Sequence, residues 1–201
     1  MDLVAFLNGL GTLTFAATGA LVGVRKRFDL IGVMILASVT AVGGGSIRDV
    51  VVGFLPPAAL RDDALLWGVA LTGVATFYLH RYLGRLERTL YALDTLGLAL
   101  FAALGAERGL TYGLGVWGVV FAGTVSGVGG GVLRDVLSGE VPGILYRAGD
   151  LYASAAAAGA LVVYLLYGLD PGLSLVAGAL TTMLLRFGSR WWGLRLPVPR
   201  G

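Results

Sequence analysis

The chain carries the same charged, glycine-rich motif twice within apolar surroundings. It reads VGGGSIRDVVVG around Gly43 and VGGGVLRDVLSG around Gly129, an offset of 129 − 43 = 86 residues. The same offset pairs further identical residues without a gap: Gly11 with Gly97, Phe15 with Phe101, Gly19 with Gly105, Gly23 with Gly109, Arg48 with Arg134, Asp49 with Asp135, Gly53 with Gly139 and Pro56 with Pro142. Such a series indicates an internal duplication.

The composition places this duplication in a membrane. Charged residues make up 13% of the chain and hydrophobic residues 57%, whereas soluble domains contain about 25% charged residues. The 201 residues have room for roughly six to eight membrane helices. The absence of cysteine excludes disulfides, zinc-thiolate sites and thiol catalysis.

Apolar windows predict an all-α integral membrane protein with seven transmembrane helices in a single domain, residues 1–201. The windows are 3–24, 30–54, 63–83, 90–107, 112–138, 149–168 and 172–188. Two three-helix repeats, about 3–85 and 89–170, precede the seventh helix at about 172–188. Because three is odd, the second repeat enters the membrane from the opposite side, so the repeats are inverted.

The basic residues give the predicted orientation. Eleven fall on one side, Arg25, Lys26, Arg27, Arg81, Arg85, Arg88, Arg147, Arg186, Arg190, Arg195 and Arg200, against Arg61 and Arg108 on the other. The basic side is expected to be cytoplasmic, which places the N-terminus outside and the C-terminus inside, in the cell (inner or plasma) membrane. The first apolar run has Asp2 and no basic residue before it, so it is interpreted as a retained span rather than a secretory signal. Because the basic residues lie between apolar runs, we expect no nucleic-acid partner.

The glycine triplets predict flexible points in helices 2 and 5. They comprise Gly43, Gly44, Gly45, Gly129, Gly130 and Gly131. A glycine costs up to about 1 kcal/mol relative to alanine in a helix, and freed backbone groups in a membrane need protein or water partners. Kinks lining a pathway are therefore expected, with close helix packing as the alternative.

The Arg-Asp pairs, Arg48-Asp49 and Arg134-Asp135, place charge inside or near spans, where charges usually face a bundle interior or an aqueous cavity. Neighbours in a helix point about 100° apart, so each residue is expected to find its partner elsewhere and not in the adjacent residue. Either the pairs line a route, or the arginines cap helix ends and reach toward the surface.

Few other polar groups lie within the spans. Candidate route-lining hydroxyls are Thr14, Thr18, Thr40, Ser46, Thr124 and Ser126. Asp94, which the offset pairs with Asn8, either lies beside the route or caps the start of helix 4. No GxSxG, HExxH or Walker-type motif occurs, so the chain is not expected to be an enzyme.

The duplicated GGGxxRD, the three-plus-three-plus-one helices and the early FAATGALVG segment resemble the prokaryotic TRIC (trimeric intracellular cation) channels, which share their domain with proteins described as glycine transporters. The resemblance covers about residues 4–190. It implies a homotrimer in the lipid bilayer, with a pore inside each protomer that passes K⁺ and, less selectively, Na⁺, and with no cofactor. It makes the six triplet glycines gating hinges and places Arg48, Asp49, Arg134 and Asp135 beside the pore. Helix 4 lacks lysine and arginine between Tyr91 and Ala106, so the voltage response and lipid binding of animal members are not expected.

Two functions follow as hypotheses. The first is a K⁺-permeable cation channel gated at the glycine hinges, and the alternative is a secondary transporter of a small zwitterion such as glycine. A purely structural subunit is disfavoured by the intramembrane Arg-Asp pairs.

Overall fold

The computed structural model describes residues 3–82, 86–145 and 151–194, and these residues form a bundle of seven helices. The helices are α1 (Leu3–Arg25), α2 (Leu30–Val52), α3 (Asp63–Leu79), α4 (Leu86–Thr111), α5 (Val116–Leu137), α6 (Ala153–Leu166) and α7 (Pro171–Trp192). Short 3-10 turns occur at Ala58–Arg61, His80–Tyr82 and Gly143–Leu145. The predicted all-α architecture is confirmed.

Five of the helices, α1, α2, α4, α5 and α7, are long and apolar enough to cross a membrane. α3 has 17 residues and α6 has 14, shorter than the predicted windows 63–83 and 149–168. The predicted start of the sixth window lies outside the described residues. So do Arg85, Arg147, Arg195 and Arg200 of the charge count.

The helix ends repeat between the halves. α2 ends before Gly53 and α5 is followed by Gly139, and both glycines have positive φ, 82° and 73°. This left-handed conformation is accessible to glycine at little cost. The two glycines are offset mates, which means that they lie 86 residues apart at corresponding positions of the two repeats (53 + 86 = 139). The duplication therefore extends to the turn that follows the charged motif.

Helix packing follows the same inverted symmetry. α1 packs on α2 and α3, just as α4 packs on α5 and α6, and the repeats meet through α1 with α4 and α2 with α5. At the centre, the rings of Phe15 and Phe101 stack with centroids 5.4 Å apart and planes 4° apart. These residues are offset mates, so a pseudo-twofold axis passes between them. α7 packs on α4 and α6 and has no counterpart in the first repeat.

Gly44, Gly129 and Gly130 of the triplets form the crossing of α2 and α5. A Cβ on Gly44 would overlap the carbonyl oxygen of Ser126, and a Cβ on Gly130 would overlap that of Thr40. A Cβ on Gly129 would lie 2.8 Å from the Cα of Gly44. These three glycines therefore allow the backbones of α2 and α5 to pack closely, which was the alternative to kinks that line a pathway. Both helices continue through their triplets without interruption, so any bending occurs within unbroken helices.

Candidate functional site

Two cavities open at opposite ends of the bundle. The Arg48 cavity has a volume of about 200 Å³ and is lined by residues that include Val4, Asn8, Thr12, Val42, Gly45, Arg48, Asp49, Phe101, Glu107 and Arg108. The Arg134 cavity has a volume of about 280 Å³ and is lined by Arg25, Glu87, Leu90, Tyr91, Asp94, Arg134, Arg186 and Arg190. The start of α1 lines the first and its last residue lines the second, so the two cavities lie at opposite faces of the membrane.

Arg48 and Asp49 form a buried ion pair that joins the two repeats. The Nε and Nη2 of Arg48 lie 3.0 and 2.8 Å from Asp49 Oδ1, and Nη1 donates to Ser126 Oγ of α5 at 3.2 Å. Asp49 Oδ2 accepts from the backbone N–H of Ala58 at 2.8 Å. The carboxylate therefore neutralises the arginine and holds the chain after α2.

Arg134 and Asp135 repeat this arrangement at the other end. The Nε and Nη2 of Arg134 lie 3.0 and 2.9 Å from Asp135 Oδ1, and Asp135 Oδ2 accepts from Gly143 N–H at 3.1 Å. Arg134 Nη1 extends to Asp94 Oδ1 of α4 at 2.6 Å.

The expectation that adjacent Arg and Asp residues would not pair is wrong. The guanidinium lies at the end of a long flexible side chain, so it can turn back to the carboxylate of the next residue although the two Cβ atoms diverge. The part of the expectation that concerned other partners holds, since Arg48 also contacts Ser126 and Arg134 also contacts Asp94. Both arginines are buried and bond to side chains, unlike residues that cap carbonyls or reach to the surface.

Asp94 carries most of the asymmetry between the two cavities. Its Oδ1 binds Arg134, and its Oδ2 lies 2.7 Å from Arg186 Nη2 of α7. The guanidinium of Arg186 lies 4.3 Å from the ring centroid of Tyr152 and 5.0 Å from that of Tyr91. Because α4 begins at Leu86, Asp94 lies two turns inside the helix, which rules out the capping alternative. Its mate in the first repeat is the neutral Asn8.

The two ends also differ in what covers the last glycine of each triplet. A Cβ on Gly45 would find its nearest neighbours at 3.7 and 3.8 Å, and Gly45 lines the Arg48 cavity. A Cβ on Gly131, its mate, would overlap the hydroxyl of Tyr152. The Arg48 cavity is therefore open as far as its triplet, whereas Tyr152 closes the corresponding place beside Arg134.

The predicted route-lining hydroxyls mostly bond within their own helices. Thr14, Thr18, Thr40 and Thr124 donate to carbonyls three or four residues earlier. Ser126 accepts from Arg48, and Ser46 is half-buried near the end of α2. Within the described residues, none of the six lines either of these two cavities, so their place on a route stays a prediction.

The residues at the site that sequence reasoning did not predict include Asn8, Thr12, Tyr152 and Arg186. The offset from Asp94 gave a signal for Asn8. Arg186 was counted only as a topology signal, whereas it is 6% exposed and bound to Asp94.

A surface ion pair joins the repeats at the Arg134 end. Glu140 Oε1 lies 2.9 Å from Lys26 Nζ and 3.1 Å from Arg25 Nη2. The hydrogen bond from Lys26 lowers the pKa of Glu140 below its usual range. At the mate positions of the other end, the rings of Phe54 and Tyr112 meet edge to face at 6.2 Å.

Comparison with known proteins identifies the family. The family model described as "Glycine transporter" matches the chain twice, over residues 5–81 and 91–168. The chain belongs to this family. The two matches begin 91 − 5 = 86 residues apart, the offset of the duplicated motif. The boundaries proposed for the single domain and its repeats stay predictions.

Relatives of the family cover nearly the whole chain. A "UPF0126 membrane protein" of Deinococcus radiodurans is 52% identical over 196 residues, 97% of this chain and 91% of the relative. The "UPF0126 inner membrane protein YadS" of Escherichia coli K12 is 36% identical over 200 residues, 98% of this chain and 96% of the relative. The chain is thus a multi-pass membrane protein of a family with bacterial inner-membrane members.

Solved structures confirm the resemblance stated from the motifs. The TRIC trimeric intracellular cation channel orthologue from Rhodobacter sphaeroides matches with a TM-score of 0.90 and 37% identity, over 96% of this chain and all of that one. A structure described under "Structural basis for conductance through TRIC cation channels" matches with a TM-score of 0.87 and 34% identity, over 98% of this chain and 97% of that one.

Proposed function

We propose that the chain is a cation channel with its route inside one protomer. The observation that carries the proposal is a pair of pseudo-symmetric cavities at opposite ends of a single chain, separated by the Phe15–Phe101 contact and the glycine crossing. The whole-chain similarity to TRIC cation channels supports it. Those neighbours are channels, which favours a non-enzymatic function, and the proposal requires no cofactor.

The arginines do not prevent cation passage because each carries its own counter-charge. Arg48 is neutralised by Asp49, and Arg134 by Asp94 and Asp135. Intramembrane charges that are paired in this way usually mark an ion path. K⁺ is proposed as the main permeant ion and Na⁺ as a second one, from the resemblance to the TRIC channels. The sequence has no filter motif of the K⁺-channel kind, so it gives no independent ground for selectivity.

The described arrangement is a closed state in this proposal. At the Arg134 end, Tyr152 covers Gly131, and Asp94 ties α4 to both α5 and α7. Opening would require these contacts to separate while α2 and α5 pivot at their triplets, where the bare backbones meet. The triplet glycines are therefore proposed as hinges that also pack the crossing.

A homotrimer is proposed from the likeness to structures described as trimeric. The proposed orientation places the N-terminus outside, supported among the described residues by Arg25, Lys26, Arg27 and Arg81 at one face. Single cysteines test it because the chain has no cysteine of its own that could react. A membrane-impermeant thiol reagent on intact cells should label Tyr112→Cys, after α4, and leave Tyr82→Cys, after α3, unlabelled. The reverse pattern would invert the orientation.

Flux through the purified protein in liposomes tests the function. One arm measures K⁺ flux down a gradient, with valinomycin-free controls, and the other measures uptake of radiolabelled glycine. We expect K⁺ flux with single-channel steps and no saturable glycine uptake. Saturable, competable glycine uptake without steps would overturn the channel and establish a carrier.

A further inference from the structure

α7 lies outside the duplicated repeats, yet it completes the closed end of the molecule. Arg186 supplies the second cation of Asp94, 2.7 Å from its Oδ2, while Arg134 occupies Oδ1. In the first repeat, Asn8 stands where Asp94 stands, and α7 has no counterpart. The difference between the two cavities therefore combines Asp94 of α4 with the arginine that α7 supplies to it.

α7 also holds the residue that covers Gly131. The guanidinium of Arg186 stacks on the Tyr152 ring at 4.3 Å, and the Tyr152 hydroxyl lies against Gly131. The backbone near Tyr152 is fixed to α7 as well, because Leu151 N–H donates to Ser189 Oγ at 3.0 Å. On the other flank, Tyr91 Oη donates to the carbonyl of Arg186 at 2.9 Å.

Two residues at corresponding positions of the repeats, Val42 and Val128, differ in exposure because Tyr152 covers only the second end. Val42 lines the Arg48 cavity. Val128, its mate in α5 (42 + 86 = 128), is 7% exposed and packs in a cluster with Leu98, Ala102, Ala156 and Tyr152. The same position on the two helices is thus next to a cavity at one end and covered at the other.

Among the described residues, the contact of Arg186 with Asp94 is made by Nη2. The Nε and Nη1 of Arg186 are buried, and within the described residues neither has a hydrogen-bond partner. Buried donors without partners raise the free energy of the state that contains them.

We propose that α7 is a lock on the Arg134 end, in which Arg186 holds Asp94 and Tyr152 in place and its release opens the Arg134 cavity toward Val128. Arg186 is a positioning residue in this inference, since it acts through Asp94 and Tyr152. The inference rests on the proposed function for its physiological meaning, but the opening itself is a structural event that can be measured without ion flux.

Thiol accessibility measures the opening directly. Val128→Cys is introduced into the cysteine-free chain, with Val42→Cys as the accessible mate, and each is reacted with a water-soluble thiol reagent in the detergent-purified full chain. We expect Val42→Cys to react and Val128→Cys to be protected. Adding Arg186→Gln should make Val128→Cys react about tenfold faster, as a shift of about 1.4 kcal/mol in the opening equilibrium would produce.

The matched control is Arg190→Gln, one turn further along α7. Arg190 is exposed and lies over the Tyr91 ring at 4.1 Å, so its loss removes a charge from the same cavity without releasing Asp94. It should leave Val128→Cys protected. Arg186→Lys retains a cation for Asp94 and should restore much of the protection, whereas a residue that only packs α7 would not be rescued in this way.

The outcomes separate the lock from the channel. Unchanged protection of Val128→Cys in Arg186→Gln, with Val42→Cys still reactive, would overturn the lock. If Arg186→Gln does not fold, Arg186→Met, which fills the site without charge, replaces it under the same criterion. Faster labelling with increased K⁺ flux supports both proposals, and faster labelling without K⁺ flux in any variant supports the lock and overturns the channel.

Discussion

Asp94→Asn is expected to lower the free energy of unfolding by about 3–5 kcal/mol, the range found when one partner of a buried ion pair is removed. The substitution retains the size of the side chain and removes the charge that Arg134 and Arg186 share. Asp135 then remains as the counter-charge of Arg134, whereas Arg186 is left buried with no other carboxylate partner among the described residues. Thermal unfolding of the detergent-purified protein measures the loss.

Two controls sharpen this prediction. Asp62→Asn removes an exposed carboxylate that caps α3 through Leu65 N–H. Because the asparagine oxygen caps a helix as well as a carboxylate does, it should cost less than about 1 kcal/mol. The double variant Asp94→Asn with Arg186→Gln should lose less free energy of unfolding than the two single variants lose together, because the two residues contact each other. A loss for Asp94→Asn no larger than that of Asp62→Asn would show that Asp94 does not neutralise the arginines.

Gly44→Ala and Gly130→Ala are each expected to destabilise the protein by about 1–3 kcal/mol, as overpacking does. The added Cβ would overlap a backbone carbonyl across the α2–α5 crossing, from Ser126 in one case and Thr40 in the other. Backbone atoms cannot rotate away as a side chain can, so the helices must separate. The temperature of thermal unfolding and the K⁺ flux should both decrease.

Gly45→Ala is the matched control for the crossing. Its Cβ would meet only ordinary contacts at 3.7 Å and beyond, and alanine favours a helix over glycine by up to about 1 kcal/mol. Its stability should therefore equal or exceed that of the parent. If Gly44→Ala proves as stable as Gly45→Ala, the close crossing does not exist in solution.

The architecture could be predicted from the sequence because membrane helices appear as apolar windows and a duplication appears as a constant offset between similar residues. Apolar windows located the seven helices, and the 86-residue offset identified pairs that the structure places symmetrically, such as Phe15 with Phe101. The start of α4 was placed too late, at 90 instead of Leu86, because Glu87 and Arg88 interrupt the apolar window. That error left the role of Asp94 undecided.

The site could be predicted only in part because its contacts join distant segments. Asp94 meets Arg134 and Arg186, which are 40 and 92 residues away in sequence, and no local pattern reports such partners. The glycine triplets were equally ambiguous, since the absence of a side chain serves both bending and close approach. The carbonyls of Thr40 and Ser126 show the close approach.

The position of the pseudo-twofold axis has a consequence for the origin of the chain. Phe15 stacks on its own mate Phe101, and the overlaps of Gly44 and Gly130 are with Ser126 and Thr40, which are also mates of each other. Contacts of a residue with its own copy are what a two-fold homodimer imposes. A three-helix ancestor that inserted in both directions would make these contacts between two identical chains. When both copies lie in one chain, neither has to be identical to the other, so one end can carry Asn8 while the other carries Asp94 and the seventh helix that binds it.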